Sequence, residues 1–252
     1  MSAQAAADYV VRFSRRQRLE HFAIMLLFVL LCLTGFPQKY PDAEWSRWLN
    51  DAMGGVQVLR FLHRGAGLML GALTAVHFTV VIVGVATRRM PLSMVPTRQD
   101  FLDAIRTLRY YLRVTDTPAR FGRFDYREKF EYWGLVIGNL VMVSTGLVLL
   151  LPILASRYLG GELVPVAKVA HSNEGLMALL VVVTWHIFNA HFAPEIFPFN
   201  DSIFTGKISK AHLKRDHPLE YERLFPEHGA APEGSAAPEP GAAAPAAQQR
   251  DG

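Results

Sequence analysis

The sequence predicts an all-α membrane protein in which residues 21–192 form a four-transmembrane-helix bundle, and three observations support this prediction. Four apolar blocks are each about as long as the 20 residues that a helix needs to cross a bilayer. The chain of 252 residues is 51% hydrophobic and 19% charged, yet its mean hydropathy is only +0.17, because charged loops separate the apolar blocks. Lys and Arg are concentrated in alternate loops, as in multi-pass membrane proteins.

The N-terminal residues 1–20 form a basic lead with four arginines. The first span is predicted over His21–Phe36, and we expect Gly35 and Pro37 to end it. The sequence after this block, TGFPQKYPDAEW, offers no cleavage site of the kind that follows a signal peptide. We therefore expect the first span to be retained.

The second span is predicted over Phe61–Ala86, the third over Phe130–Leu151 and the fourth over Pro165–Phe192. In each of the loops 37–60 and 87–127, apolar residues recur at helical spacing, which predicts two amphipathic helices lying on the membrane surface. Their apolar positions are Trp45, Trp48, Leu49, Ala52 and Met53 in one loop and Phe101, Leu102, Ile105, Leu108 and Leu112 in the other.

The residues after the fourth span divide into two parts. Residues 193–228 are expected to form a cytoplasmic extension with a short helix and turn, in which His212, His217 and His228 are solvated. Residues 229–252 are rich in Ala and Pro and lack apolar periodicity, so we expect a disordered tail.

The distribution of Lys and Arg predicts the orientation. The N-terminal lead, residues 87–127 and the residues from 193 onward hold four, nine and six of them, whereas residues 37–60 and 152–170 hold three and two. By the positive-inside rule, both termini are cytoplasmic. The expected location is the inner membrane of a bacterium.

Composition also excludes several kinds of site. The single cysteine, Cys32, excludes an internal disulfide, a cysteine-ligated iron–sulfur cluster and covalent haem attachment through C-x-x-C-H. The net charge of +4 arises from basic loops that flank the spans. We therefore expect contact with membrane lipid and no binding to nucleic acid.

Histidines at two matched depths of the second and fourth spans point to a metal-containing cofactor. Ionisable side chains inside a membrane are costly and usually face a functional interior. His63 and His77 are 14 positions apart, and His171 and His186 are 15 apart. Such separations correspond to about 21–22 Å along a helix and keep both imidazoles on one side of it. Two helices marked in this way are suited to hold two stacked haems b by bis-histidine ligation, as in a b-type cytochrome.

Spacing does not decide which histidines bind the haem on the cytoplasmic side. His77 pairs with His186 by spacing, but His21 also reaches that half of the membrane. His191 lies about 140° around the helix from His186. Two haems are the simplest count, and a third would use the remaining histidines.

Motifs along the chain also carry a family resemblance. In order, they are RLEHF, FLHRGAG, GRFDYREKFEYW, STGLVLLLP, AHSNEG, TWH and GKIS followed by HPLEYERL. Their order and spacing over roughly residues 9–225 resemble the cytochrome b (gamma) subunit of membrane-bound formate dehydrogenase and the related cytochrome b subunits of nickel–iron hydrogenases.

This resemblance implies a quinone-linked subunit with two haems. It implies that His63 and His171 hold a haem near the periplasmic face, and that His21 and His186 hold a second haem near the cytoplasmic face. His77 has no counterpart in the family pattern, so it is either a second-choice ligand or a partner in an extra haem.

The resemblance also implies a quinone pocket beside the cytoplasmic-side haem, lined by the stretch that leads into the third span. Where the family has an amide-rich segment, this chain has Asp125 and Glu128. A carboxylate at the membrane edge is able to relay the protons that quinone chemistry consumes or releases. The alternative is that Asp125 and Glu128 only pair with Arg123 and Arg127 at a solvated helix end.

The expected function is electron transfer across the membrane between the quinone pool and a periplasmic redox partner, which is a dehydrogenase, a reductase or a multihaem cytochrome c. Six-coordinate bis-histidine iron has no open position, so substrate chemistry beyond quinone and quinol belongs to the partner. Two other classes stay open: a histidine-rich metal-handling membrane protein and a non-redox membrane anchor of a complex.

Overall fold

The structure is a computed structural model that describes residues 8–193, 196–197 and 199–226. It is mostly helical, and four of its helices are long and apolar enough to cross a membrane, which confirms the four predicted spans. The spans are α1 (Arg15–Lys39), α3 (Val56–Ala86), α5 (Tyr126–Leu150) and a fourth that begins with α7 (Leu163–Val181) and continues through two π-helical turns, Val182–His186 and Phe188–Phe192.

Shorter elements connect and flank the spans. They are β1 (Tyr9–Val11), α2 (Glu44–Ala52), α4 (Arg98–Tyr111), α6 (Pro152–Leu159), α8 (Ser202–Thr205), β2 (Lys207–Ser209), α9 (Lys210–Asp216) and α10 (Pro218–Leu224). The helices α2 and α4 are the two amphipathic helices expected in the loops. Their apolar side chains are largely exposed, as a helix that lies on a membrane surface requires.

The four spans pack as two antiparallel hairpins. The first span packs mainly against the second and the third mainly against the fourth, while thinner contacts of the first with the fourth and the second with the third close the ring. Many of the large apolar side chains of the spans are exposed on the outside of the bundle. Since lipid tails are as apolar as these side chains, such a bundle gains little by burying them between helices.

The first span is longer than the sequence predicts. The expectation that Gly35 and Pro37 end it is wrong, because the helix continues to Lys39. Pro37 lies in the last turn, and its carbonyl accepts a hydrogen bond from Ser46 Oγ at 2.9 Å. This bond ties the end of the first span to α2.

Two short strands join the ends of the described chain. Strand β1 pairs with β2 in antiparallel register, with Val10 opposite Ile208. The prediction of an all-α protein missed this sheet, because strands of three residues are too short to show an alternating apolar pattern. We call β1, β2, α9 and α10 the terminal cap.

A buried polar network fastens the terminal cap to the third span. Arg12 is only 5% exposed, and its Nη2 lies 3.1 Å from Glu128 Oε1 and 3.2 Å from His217 Nε2. His217 Nδ1 donates to the Gly122 carbonyl at 2.7 Å. Burial, followed by the positive charge of Arg12, lowers the pKa of His217 to about 4.

The prediction that His217 is solvated is therefore wrong, since its side chain is buried and both ring nitrogens have partners. His212 is exposed, as predicted. His228 and the expected disordered tail, residues 229–252, lie outside the described residues.

We expect His217 to make the terminal cap easier to open as the pH falls from 6.5 towards 5. The unfolded chain protonates His217 at an ordinary pKa of about 6.5, whereas the folded cap does so only near 4. In that window the open state binds more protons at His217, so His217 alone lowers the free energy of opening by about 2 kcal/mol between pH 8 and pH 5. Hydrogen exchange of the β1 and β2 amides, corrected for its intrinsic pH dependence, measures this change.

His217→Gln should remove this pH dependence, and His212→Gln should keep it, because His212 is exposed. The same loss of protection in both variants would contradict the assignment. Glu220 titrates below this window, because the bond to Arg223 holds the pKa of its carboxyl below its usual 4.5.

Candidate functional site

Four intramembrane histidines form two facing pairs inside the bundle. The ring centroids of His63 and His171 are 6.1 Å apart, with their planes at 81°. The ring centroids of His21 and His186 are also 6.1 Å apart, with their planes at 39°. Each pair joins two different spans, so the structure brings together the pairs that the family resemblance implies.

The pair His63 and His171 is oriented by two threonines, and we call these four residues the threonine layer. Thr34 Oγ1 donates to the Leu30 carbonyl at 2.6 Å and lies 3.0 Å from His63 Nδ1. Because the hydroxyl has only one hydrogen, it accepts the hydrogen on Nδ1. The Nε2 atom of His63 is then unprotonated, which is the form that binds a metal.

The other half of the threonine layer has the same arrangement. Thr145 Oγ1 donates to the Val141 carbonyl at 2.5 Å and lies 3.0 Å from His171 Nδ1. A Cβ atom on Gly146 would lie only 3.2 Å from His171 Cε1. A Cβ atom on Gly35 would lie 3.0 Å from His63 Cε1. Glycine thus lets each imidazole lie directly against the neighbouring helix.

The pair His21 and His186 is held differently, and with Glu131 it forms what we call the glutamate layer. His186 Nδ1 makes a short hydrogen bond to Glu131 Oε1, on the third span. Since Nδ1 carries the shared hydrogen, Nε2 of His186 is again the atom available to a metal. The Glu131 side chain is only 13% exposed, which keeps this contact away from solvent.

His77 lies near the glutamate layer but does not face His186 or any other imidazole of the described chain. Its Nδ1 is 2.8 Å from Glu20 Oε1, and its Nε2 is 2.9 Å from the Tyr132 hydroxyl. Both ring nitrogens are therefore occupied by protein partners. The structure thus brings His21, and not His77, to His186.

The remaining candidates also lie apart from the two pairs. The ring of His191 stacks on Phe199, with centroids 4.3 Å apart. Asp125 caps the third span and shares a reciprocal capping box with Glu128, each bond being 2.8 Å long. Asp125 is also paired with Arg127 and Glu128 with Arg12.

The two hairpins repeat one arrangement of polar residues. In the first span Glu20 precedes Thr34 by 14 positions, and in the third span Glu131 precedes Thr145 by 14. Each threonine contacts the first histidine of the following span, and each glutamate contacts the second one. Sequence reasoning missed these four partners, although the repeated Glu-x13-Thr-Gly spacing was available to find them.

A π-helical turn accounts for the one difference in spacing between the repeats. His63 and His77 are 14 positions apart, whereas His171 and His186 are 15 apart. The fourth span contains a π-helical turn over Val182–His186, and such a turn holds one more residue than an α-helical turn. It restores His186 to the position that corresponds to His77.

The donor set fits a planar iron macrocycle. Bonds from imidazole nitrogen to a metal are about 2.0–2.1 Å long, so imidazoles on opposite sides of one iron have ring centres about 6 Å apart. Both pairs meet this condition. Among the described residues, no three His, Cys, Asp or Glu side chains converge on a point that would hold a bare metal ion. Two axial ligands suffice when a porphyrin supplies the others.

Comparisons with known proteins point to cytochromes b. The profile of the family described as prokaryotic cytochrome b561 matches residues 12–198. The chain is 25% identical to the cytochrome b556(fdo) subunit of formate dehydrogenase from Escherichia coli K12 over 86% of its own length and 94% of the relative.

Two further relatives carry similar names. The chain is 21% identical to the cytochrome b556(Fdn) subunit of the nitrate-inducible formate dehydrogenase of E. coli K12, over 85% of this chain and 91% of the relative. It is 20% identical to the formate dehydrogenase cytochrome b556 subunit of Haemophilus influenzae, over 84% and 82%. The predicted resemblance to formate dehydrogenase cytochrome b subunits is confirmed.

We expect Thr145→Val to lower haem affinity at the threonine layer about 10-fold, because His171 Nδ1 loses the hydroxyl that helps to orient the ring. Haem titration of purified apoprotein, followed by absorbance, measures the affinity. Ser144→Ala is the matched control, since that hydroxyl donates to the Val141 carbonyl and contacts no described imidazole. Equal affinities in the two variants would contradict the role of Thr145.

Proposed function

Because the chain belongs to the prokaryotic cytochrome b561 family, we propose that it is the electron-carrying membrane subunit of an oxidoreductase complex and that it holds two haems b. His63 and His171 hold one haem in the threonine layer, and His21 and His186 hold the other in the glutamate layer. The observation that carries this proposal is the 6.1 Å separation of the imidazoles in both pairs.

The role of the protein is to hold the haem ligands in a fixed orientation and at a fixed distance from each other. When bound, haem supplies one-electron chemistry through its iron, and bis-histidine coordination leaves no site for a substrate on that iron. The threonines and Glu131 hold His63, His171 and His186 through Nδ1, so the orientation of these three rings is set before the cofactor arrives. The 14-residue spacing within a span separates the layers by about 21 Å along the helix.

The glutamate layer is proposed to lie towards the cytoplasm. The terminal cap lies at that end of the bundle. The topology predicted from the sequence puts the loops with the most Lys and Arg on the same side of the membrane. At the opposite end, α2 exposes Trp45 and Trp48, and tryptophan is enriched at membrane interfaces. The location of the complex is then the inner membrane of a bacterium.

The partner is proposed to be a dehydrogenase subunit on the periplasmic side, next to the threonine layer. The support is that the relatives are named as formate dehydrogenase subunits. Electrons would then pass between that partner and quinone at the glutamate layer.

The quinone site is proposed along the entry to the third span. A cleft of about 230 Å³ follows this stretch and is lined by Phe124, Lys129 and Asp100, among others. Asp125 and Glu128 lie beside it but take part in the capping box and in ion pairs. Proton relay by these two carboxylates would therefore require their hydrogen bonds to be exchanged.

We expect a reduced-minus-oxidised spectrum of the purified protein to show a b-type α-band and about two irons per chain. His171→Ala should lose the threonine-layer haem and His21→Ala the glutamate-layer haem, since each removes an axial ligand. His77→Ala is the matched control and should keep both haems, because the ring nitrogens of His77 are bound to Glu20 and Tyr132. A colourless, iron-free protein would refute the proposed function, and loss of a haem only in His77→Ala would reverse the ligand assignment.

The orientation is tested with single cysteines introduced into a Cys32→Ser background. In spheroplasts, a membrane-impermeant maleimide should label Asp51→Cys, in the short loop, and should label Ala211→Cys, in the terminal cap, only after lysis. Both positions are exposed in the structure. Labelling of Ala211→Cys in intact spheroplasts would invert the proposed topology.

A further inference from the structure

The two layers differ in the charge of the group that accepts the hydrogen on the axial imidazole. In the threonine layer the acceptors are neutral: the hydroxyls of Thr34 and Thr145, and the backbone carbonyls of Leu31 and Met142. In the glutamate layer the acceptor of His186 is the carboxyl side chain of Glu131. The hydroxyls and the carboxyl group contact the same ring nitrogen, Nδ1. The two layers therefore differ in the charge of the acceptor and not in the atom that it contacts.

A carboxylate acceptor changes the electronic properties of an imidazole that binds iron. A hydrogen bond with an ionised partner is about twice as strong as one between neutral groups. It raises the basicity of the ligand through the opposite nitrogen. Ferric haem carries one more positive charge than ferrous haem, so a more basic ligand and a nearby negative charge both stabilise the ferric state.

We propose that Glu131 is a positioning residue that lowers the reduction potential of the haem bound by His21 and His186. This inference rests on the proposed function, because it needs haem at both layers. Its consequence is that the centre nearest the proposed quinone site is made a stronger reductant by a side chain that acts through the imidazole of His186.

The hairpin repeat supplies an internal comparison. Glu20 corresponds to Glu131, but it contacts Nδ1 of His77, whose Nε2 is bound to Tyr132. Glu20 therefore adds a carboxylate to the same end of the bundle without a hydrogen bond to a proposed ligand. Replacing each glutamate by glutamine removes one negative charge in both cases and a ligand hydrogen bond in only one.

The test is a spectroelectrochemical titration of the full-length protein with both haems bound. In Glu131→Gln, we expect the potential of the glutamate-layer haem to shift in the positive direction and that of the threonine-layer haem to stay unchanged. In Glu20→Gln, the shift should be clearly smaller. His171→Ala, which retains only the glutamate-layer haem, identifies which of the two transitions belongs to that haem.

The outcomes separate this inference from the proposed function. An unchanged potential in Glu131→Gln, or an equal shift in Glu20→Gln, would overturn the role of Glu131 while leaving the haem assignment intact. The absence of haem from the unmodified protein would overturn the proposed function itself.

A second variant covers the case in which Glu131→Gln binds only one haem. Glu131→Asp keeps the carboxylate but shortens the side chain by one methylene, so its hydrogen bond to His186 should be longer. We expect a positive shift of the same haem and altered ferric electron paramagnetic resonance g-values, which depend on the axial ligands. A wild-type potential and spectrum in this variant would contradict the proposal.

Discussion

The hydrogen bonds between four intramembrane imidazoles and side chains on the neighbouring spans are the interactions on which the rest of the structure depends. Polar groups inside a bilayer have no water to bind, so each one needs a partner within the protein. Here Thr34, Thr145, Glu20 and Glu131 satisfy Nδ1 of four histidines. The same bonds hold the two spans of each hairpin in register and decide which ring nitrogen is available to a metal.

The repeated hairpin explains both the likeness and the difference between the two ends of the bundle. The threonine layer is nearly symmetric, since each half has a Thr-Gly pair that lies against an imidazole. The glutamate layer is not, because His21 faces His186 on one side while Tyr132 bonds His77 on the other. His21 and Tyr132 each follow the glutamate of their span. The histidine forms an imidazole pair suited to iron, whereas the tyrosine forms a hydrogen bond that occupies His77.

In the terminal cap, a buried charge next to the membrane is stabilised by a network of partners. Arg12 is buried between the aromatic rings of Phe13 and Phe124 and bonds both Glu128 and His217. Removing one member of such a network leaves the others buried without partners. The free energy of unfolding then falls by more than the net stabilisation that the contact provides. The cap thus joins both ends of the described chain to the span that carries Glu131.

The sequence by itself determined the four spans and the two depths of the histidines, because apolar length and helical rise are local properties. It did not determine the partner of His186. Spacing alone favoured His77, because His77 and His186 lie at corresponding positions of the second and fourth spans. Only the tertiary structure brought His21 to His186, bound both nitrogens of His77 and buried His217. Contacts between spans depend on the rotation and register of whole helices, and no spacing within one helix specifies these.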